Sequence, residues 1–220
     1  MSQPDVDLGI LKKYCYRCRD RHRIRQAQKK YAIPYKMKYL LGTGDWPVRD
    51  LATALNAFGI FMRRYRISDL FFVWNVPPSP ERHDILRQSI NHFAGIQYHL
   101  IQIGPVDKGD LAPLMGGAFG FVYPGTCCDD CLPILEALTC GCPVIYAETP
   151  MFSALMGSAG LRVSPGSEAD FVRAYHQIYT DKKLRHTCVR QGLKRAEELM
   201  TLARHAARPP VESNRVRTQP

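Results

Sequence analysis

The chain predicts an α/β protein: a doubly wound, mostly parallel sheet with helices on both faces. Three observations point there. Short apolar runs, bounded by Gly and Pro, alternate with amphipathic stretches of helical period. The segment 119–147 reads as strand, loop, helix and strand in about 30 residues, which is the βαβ unit of a parallel sheet. A chain of 220 residues with 45% hydrophobic and 23% charged content is long enough for one packed domain.

The elements follow in order. Residues 11–30 are dense in Lys and Arg, with Arg19, Arg21, Arg23 and Arg25 alternating with Asp20, His22 and Ile24. This predicts an exposed helix or arm, ended where Ile33 precedes Pro34. A first strand covers 37–41, a loop 42–47, and a helix 49–65 with Leu51, Ala54, Leu55 and Phe58 along one face. A second strand covers 70–74. Pro77, Pro78 and Pro80 interrupt the chain, and 81–93 reads as helical. A third strand is expected at 98–103 and a short helix at 110–115.

Phe119 to Tyr123 is a buried strand, broken by Pro124-Gly125-Thr126. Leu132 to Leu138 is a short helix stopped by Gly141, and 143–147 a further strand. A turn of helix at 154–156, a strand at 161–163 and amphipathic helices at 168–179 and 181 to about 204 complete the domain. From Arg208 onward Pro and Arg dominate and no apolar pattern recurs, which predicts a disordered tail. The expected division is a basic arm over 1–34, a domain over 35–206 and a tail over 207–220.

The net charge of +10 favours an anionic partner, such as a nucleotide, a nucleic acid or an acidic lipid surface. No apolar run has the length of a transmembrane helix, and the N-terminus lacks the regions of a signal peptide. A cytoplasmic location is therefore expected, with the 8 Cys as thiols or metal ligands.

The stretch Leu132-Pro-Ile-Leu-Glu-Ala-Leu-Thr-Cys-Gly-Cys-Pro-Val resembles the signature of family 4 (group 1) glycosyltransferases. Tyr31-Ala-Ile-Pro34, Ala57-Phe58 and Ala159-Gly-Leu-Arg-Val-Ser-Pro-Gly166 resemble further family patterns in the same order. The resemblance implies a Rossmann-like domain equivalent to the C-terminal, nucleotide-sugar-binding half of the GT-B fold. It assigns Glu136 to the second position of the family's Glu-x7-Glu motif, where it would bind the donor ribose. The first Glu falls on Cys128, and the Gly-Phe-Gly between falls on Asp129-Asp130-Cys131. Arg49 stands where a phosphate-binding Lys belongs, and Thr43 or Gly44 where an Arg belongs. The motif is thus degenerate. The Met1 start falls near the crossing between the two domains of a full enzyme, so the acceptor domain is expected to be absent.

The resemblance therefore implies a donor site of Gly42, Thr43, Arg49, Cys131, Leu132 and Glu136, with no catalytic residue assigned. The donor would be a nucleotide-diphosphate sugar, and no metal or other cofactor is called for. A cation at a helix N-terminus, such as Arg49, calls for a nearby anion. Cys128 cannot replace a carboxylate that accepts two hydroxyl hydrogen bonds. Asp129 or Asp130 could substitute, but acidic groups repel a diphosphate.

Three functions follow. The first is a nucleotide-sugar-binding domain, transferring sugar with retention only when a separate N-terminal half or other subunit supplies the acceptor site. The second is a catalytically degenerate binding or assembly module. The third is a zinc-stabilised basic protein that binds nucleic acid, in which Cys15, Cys18, Cys128 and Cys131 form two C-x2-C pairs with His22 and Cys127 as further ligands. Their spacing of about 110 residues, against the usual 12–20, weighs against the third. The isolated chain is expected to be inactive.

Overall fold

The computed structural model describes residues 13–43, 46–75, 95–126 and 131–206, with Pro80, Asp84, Arg87, Gln88 and Phe93 between. The elements are α1 (Arg21–Lys30), β1 (Lys38–Thr43), α2 (Val48–Tyr65), β2 (Leu70–Asn75) and β3 (Leu100–Gln102). There follow α3 (Lys108–Gly117), β4 (Gly120–Tyr123), α4 (Leu132–Cys140) and β5 (Val144–Ala147). The last are α5 (Pro150–Met156), β6 (Leu161–Val163), α6 (Glu168–Thr180) and α7 (Lys182–Ala206).

Six strands form one sheet in the order β3-β2-β1-β4-β5-β6, and every pairing is parallel. This is the doubly wound α/β fold the apolar runs predict. Leu40, Leu41, Phe72, Val73, Phe121, Val122 and Ile145 are buried on both faces, as strands between helix layers require. On one face Phe58 and Phe61 of α2 pack edge-on against Phe72 and Tyr175, tying α2 to α6 through rings, and the Tyr175 hydroxyl and the Asn56 amide add hydrogen bonds to the Ala54 carbonyl and Glu168. Strand order reverses between β1 and β4, so the crevice beyond their C-terminal ends is the topological switch point.

The differences from the sequence expectation are local. Ile96–His99 is a 3₁₀ turn, and the third strand is only Leu100–Gln102. His99 explains part of this: its ring bonds the Leu70 carbonyl at 3.0 Å and lies against Phe71, so it closes the edge of the sheet instead of extending it. Two turns of helix occupy Pro150–Met156, because Thr149 caps the Phe152 N–H and Pro150 takes the first helical position. Most of the expected helix at 81–93 and all of the tail at 207–220 lie outside the described residues; of the former, Asp84, Arg87 and Gln88 are helical.

The basic segment is docked rather than free. Asp20 caps α1 through the His22 and Arg23 N–H groups, and Lys30 pairs with Asp107 and Asp110 beside α3. Cys15, Cys18, Ala27 and Ile33 are buried in the main core. The alternating charges conceal this because only one residue in several on this segment meets the domain. α4 ends at Gly141 with φ 70°, where the Cys142 N–H reaches back to Ala137 O. That left-handed residue is the reason a glycine stands there.

Candidate donor crevice

In a parallel sheet the loops after the strands gather at one edge, and the helices that follow point their N-termini there. Gly42 and Thr43 end β1, and Pro47 then leads into α2. Arg49 is the second residue of α2, with its side chain 84% exposed. Across the switch point, β4 ends at Tyr123 and the chain passes Gly125 and Thr126 toward α4. Cys131 is the N-cap of α4, Leu132 its first residue, and Glu136 lies half-buried in its second turn. Cys127 to Asp130 lie outside the described residues, and so do Gly44 and Asp45.

Two contacts lock the edge together. The carboxylate of Asp50, 2% exposed, accepts hydrogen bonds from the Thr126 N–H at 2.8 Å and the Thr126 hydroxyl at 2.9 Å. The loop after β4 is thereby fastened to the first turn of α2. The second contact is Trp46, 1% exposed. Its ring lies so close over Gly42 that a Cβ there would stand 2.2 Å from the indole, and a Cβ on Gly125 would stand at 3.3 Å. Tyr123 meets Trp46 edge-on at 6.2 Å. The two glycines stand at the ends of the two strands that flank the reversal, and the indole fills the space above them.

The electrostatics follow from these positions. The N-terminus of α2 carries about half a positive charge. Asp50 sits in that first turn and answers it, and the Arg49 guanidinium is 3.8 Å from the same carboxylate. The anion that a cation at this helix end calls for is thus supplied by the chain itself. α4 has no side-chain cap from Cys131, and Pro133 removes one N–H from its first turn.

Of the six residues assigned from the sequence motifs, Gly42 and Thr43 end β1, Arg49 is in the first turn of α2, Cys131 and Leu132 open α4, and Glu136 lies at the middle of α4. Trp46, Asp50 and Thr126 were not singled out by the sequence reading. A tryptophan just after the Gly42-Thr43-Gly44 stretch and just before Pro47 is the signal that could have found the first. Asp50 and Thr126 are 76 positions apart, and nothing local marks them as partners.

The zinc alternative does not assemble among the described residues. Cys131 begins α4 and Cys140 ends it, about 13 Å away along the helix. Cys15 is at the far end: a hydrogen bond between the Cys15 and Cys140 thiols, together with burial, pushes the Cys140 thiol up. No group of three or more His, Cys, Asp or Glu among the described residues could hold a metal ion. No described helix is long and apolar enough to cross a membrane.

Comparison with known proteins agrees with this architecture. The profile of the family described as "Glycosyl transferases group 1" matches residues 87–195. The O-antigen chain mannosyltransferase B of Escherichia coli is 34% identical over 97 residues, covering 44% of this chain and 25% of that protein. The chain thus matches about a quarter of that relative's length. The C-terminal domain of the group 1 glycosyl transferase LpcC from Francisella tularensis superposes with TM-score 0.68 at 20% identity, over 84% of this chain and 95% of that one. Anabaena HepE, solved in complex with UDP-glucose, gives TM-score 0.70 at 13% identity, over 89% of this chain and 55% of that one. At these identities the two structures speak to the fold.

Proposed function

The chain belongs to the group 1 glycosyl transferases, with the fold of their C-terminal GT-B half, and on that premise we propose that its switch-point crevice takes a nucleotide-diphosphate sugar. The observation that carries this reading is the Thr126–Asp50 pair. It holds the start of α2, with Arg49, against the loop that leads to α4, with Glu136. A crevice between two helix N-termini suits a diphosphate. In this reading Arg49 offers a guanidinium fork to phosphate oxygens, and Glu136 accepts hydrogen bonds from the ribose hydroxyls. HepE, which shares the fold, was solved with UDP-glucose, and UDP is the natural first probe.

Sugar transfer needs more than this domain. The reaction in a two-domain enzyme requires a closed cleft that excludes water and aligns the acceptor. The isolated chain should therefore bind nucleotide without turnover, and an N-terminal GT-B half would supply the acceptor site. A second reading, a degenerate binding or assembly module, is favoured by two particular features. Trp46 occupies the crevice, and Asp50 occupies the anion position of α2. A donor must displace or repack the indole.

Titration of UDP in a calorimeter decides between the readings. Binding is expected to be weak, with a Kd around 1 mM corresponding to about −4 kcal/mol. Glu136→Ala should cost about 0.5–1.5 kcal/mol for each ribose hydrogen bond removed. No heat at millimolar UDP rejects a working donor site and leaves the degenerate module. Equal binding by the wild type and Glu136→Ala removes that residue from the site.

A further inference from the structure

At the opposite edge of the sheet, where the strands begin, the docked segment and α7 enclose a groove of about 380 Å³. Arg17, Arg19 and Arg21 line one wall, and Arg185 and His186 the other. Its floor is Phe119 together with the end of α4 at Cys140 and Gly141. From this arrangement we infer that the groove is a binding site for a phosphate group, separate from the donor crevice.

The first ground is charge that the fold leaves uncompensated. Among the described residues, no acidic residue lines the groove. The carboxylates on the flanking elements are Asp20, Asp69 and Asp181, and of these Asp181 offsets part of the Arg185 charge from one turn away. Asp20 accepts from the His22 and Arg23 N–H groups, Asp69 from Lys38 and the Tyr179 hydroxyl, and Asp181 from the Leu184 N–H. Arg17, Arg19 and Arg21 make no ion pair among the described residues. Helix ends do contribute: Arg17 lies against Gly141, its Cγ and Cδ 3.4 Å from where a Cβ would stand, at the C-terminus of α4. The ends of α3 and α4 carry about half a negative charge each, roughly one charge against four guanidinium groups. Most of the positive charge remains.

The second ground is preorganisation. Arg185 is half-buried and fixed: its Nη1 donates to the carbonyls of Ile178 and Tyr179, and its guanidinium lies 4.2 Å over the Phe119 ring. The remaining N–H groups of a held guanidinium lose little freedom on meeting an anion. Burial pulls the Arg185 pKa below the ordinary arginine value, against the opposite pull of nearby Asp181, as expected for a cation set in a wall. The docked segment opposite is anchored by buried Cys15 and Cys18, and the Cys18 carbonyl lies against Gly116, where any Cβ would meet it at 2.6 Å. Both walls are thus tied to the core. Guanidinium groups facing one space suit phosphate oxygens, which accept paired N–H bonds. The phosphate could belong to a soluble phosphate ester or to a lipid headgroup.

The test uses the full chain, with pyrophosphate by calorimetry and vesicles of phosphatidylcholine and phosphatidylglycerol in equal parts by co-sedimentation. Three proteins are compared with the wild type. The first is Arg17→Gln, Arg19→Gln, Arg21→Gln. The second is Arg173→Gln, Lys194→Gln, exposed cations outside the groove. The third is Glu136→Ala, in the donor crevice. The groove triple is expected to weaken binding about tenfold or more, as loss of charge-assisted bonds requires, while the other two bind like the wild type. This pattern with pyrophosphate identifies a soluble phosphate site, and the pattern with vesicles alone identifies a headgroup site. Each of the three arginines is exposed, so thermal melts of the triple should match the wild type. Arg19→Gln alone is the substitute if they do not. Binding by the triple equal to wild type, or no binding of either probe, overturns the inference.

Discussion

The two edges of the sheet treat charge in opposite ways. At the C-terminal edge the buried Asp50 carboxylate sits in the first turn of α2 and satisfies both Thr126 donors, and Trp46 fills the space above Gly42 and Gly125. At the N-terminal edge Arg17, Arg19, Arg21 and Arg185 surround an open groove with no carboxylate in its lining among the described residues. Helix dipoles account for part of the difference. In a doubly wound fold the positive helix ends gather at one edge and the negative ends at the other. An acidic residue is favoured at the first and arginines at the second. The contrast teaches that the edge expected to hold the donor is internally satisfied, whereas the other edge retains charge for a partner.

The largest effect should come from the indole. Trp46→Ala removes a fully buried ring from between two strand ends and should cost about 3–5 kcal/mol in urea unfolding. If the degenerate reading holds, the same change opens the crevice and strengthens UDP binding while the fold is retained. Unchanged UDP affinity would mean that the indole is not in the donor's way.

Next is the carboxylate lock. Asp50→Ala leaves the Thr126 N–H and hydroxyl without their acceptor and should destabilise by about 1–3 kcal/mol. Adding Thr126→Ala to it should cost less than the sum of the single changes, because the two residues share one interaction. Strict additivity in that cycle would show that the loops are held by something else.

A smaller effect belongs to the edge where the strands begin. Asp69 and Lys38 are partly exposed and are joined at 2.7 Å, with the Tyr179 hydroxyl on the other carboxylate oxygen at 2.6 Å. Burial opposes the charge of Asp69, but the hydrogen bonds from Lys38 and Tyr179 prevail and hold the carboxyl below its ordinary range. Burial likewise opposes the charge of Lys38, and the bond from Asp69 raises it. The Asp69 contribution is therefore present above the unfolded carboxyl value near 4 and is lost as pH falls through the lower folded value. The Lys38 contribution is present below about pH 10 and is lost as pH rises through its raised value. Unfolding free energies of Asp69→Asn should lack this part of the acid dependence. A variant with the wild-type slope below pH 4 would dismiss the pair as a source of it.

Much of the fold was legible in the sequence, because burial on both faces forces continuous apolar runs such as Phe119 to Tyr123 and Pro143 to Ala147. A run of that kind between helical patterns has few alternatives to a parallel sheet. The placing of Arg49 at the start of the helix after β1, and of Glu136 within the helix after β4, follows from the same logic. The parts that were not legible are contacts between distant positions. Thr126 lies 76 residues beyond Asp50, and only sheet order brings them together. The same is true of Arg17 and Arg185, which join one groove although one precedes β1 and the other follows β6.

By itself, then, the chain determined the strand and helix alternation, the helix stop at Gly141 and the family signature around Glu136, because each depends on neighbours within a few residues. Tertiary structure alone decided that Trp46 would roof the switch point, that the basic segment would dock through Cys15 and Cys18, and that its arginines would face Arg185. Those outcomes depend on which surfaces meet once the sheet is assembled, and local periodicity carries no record of the meeting.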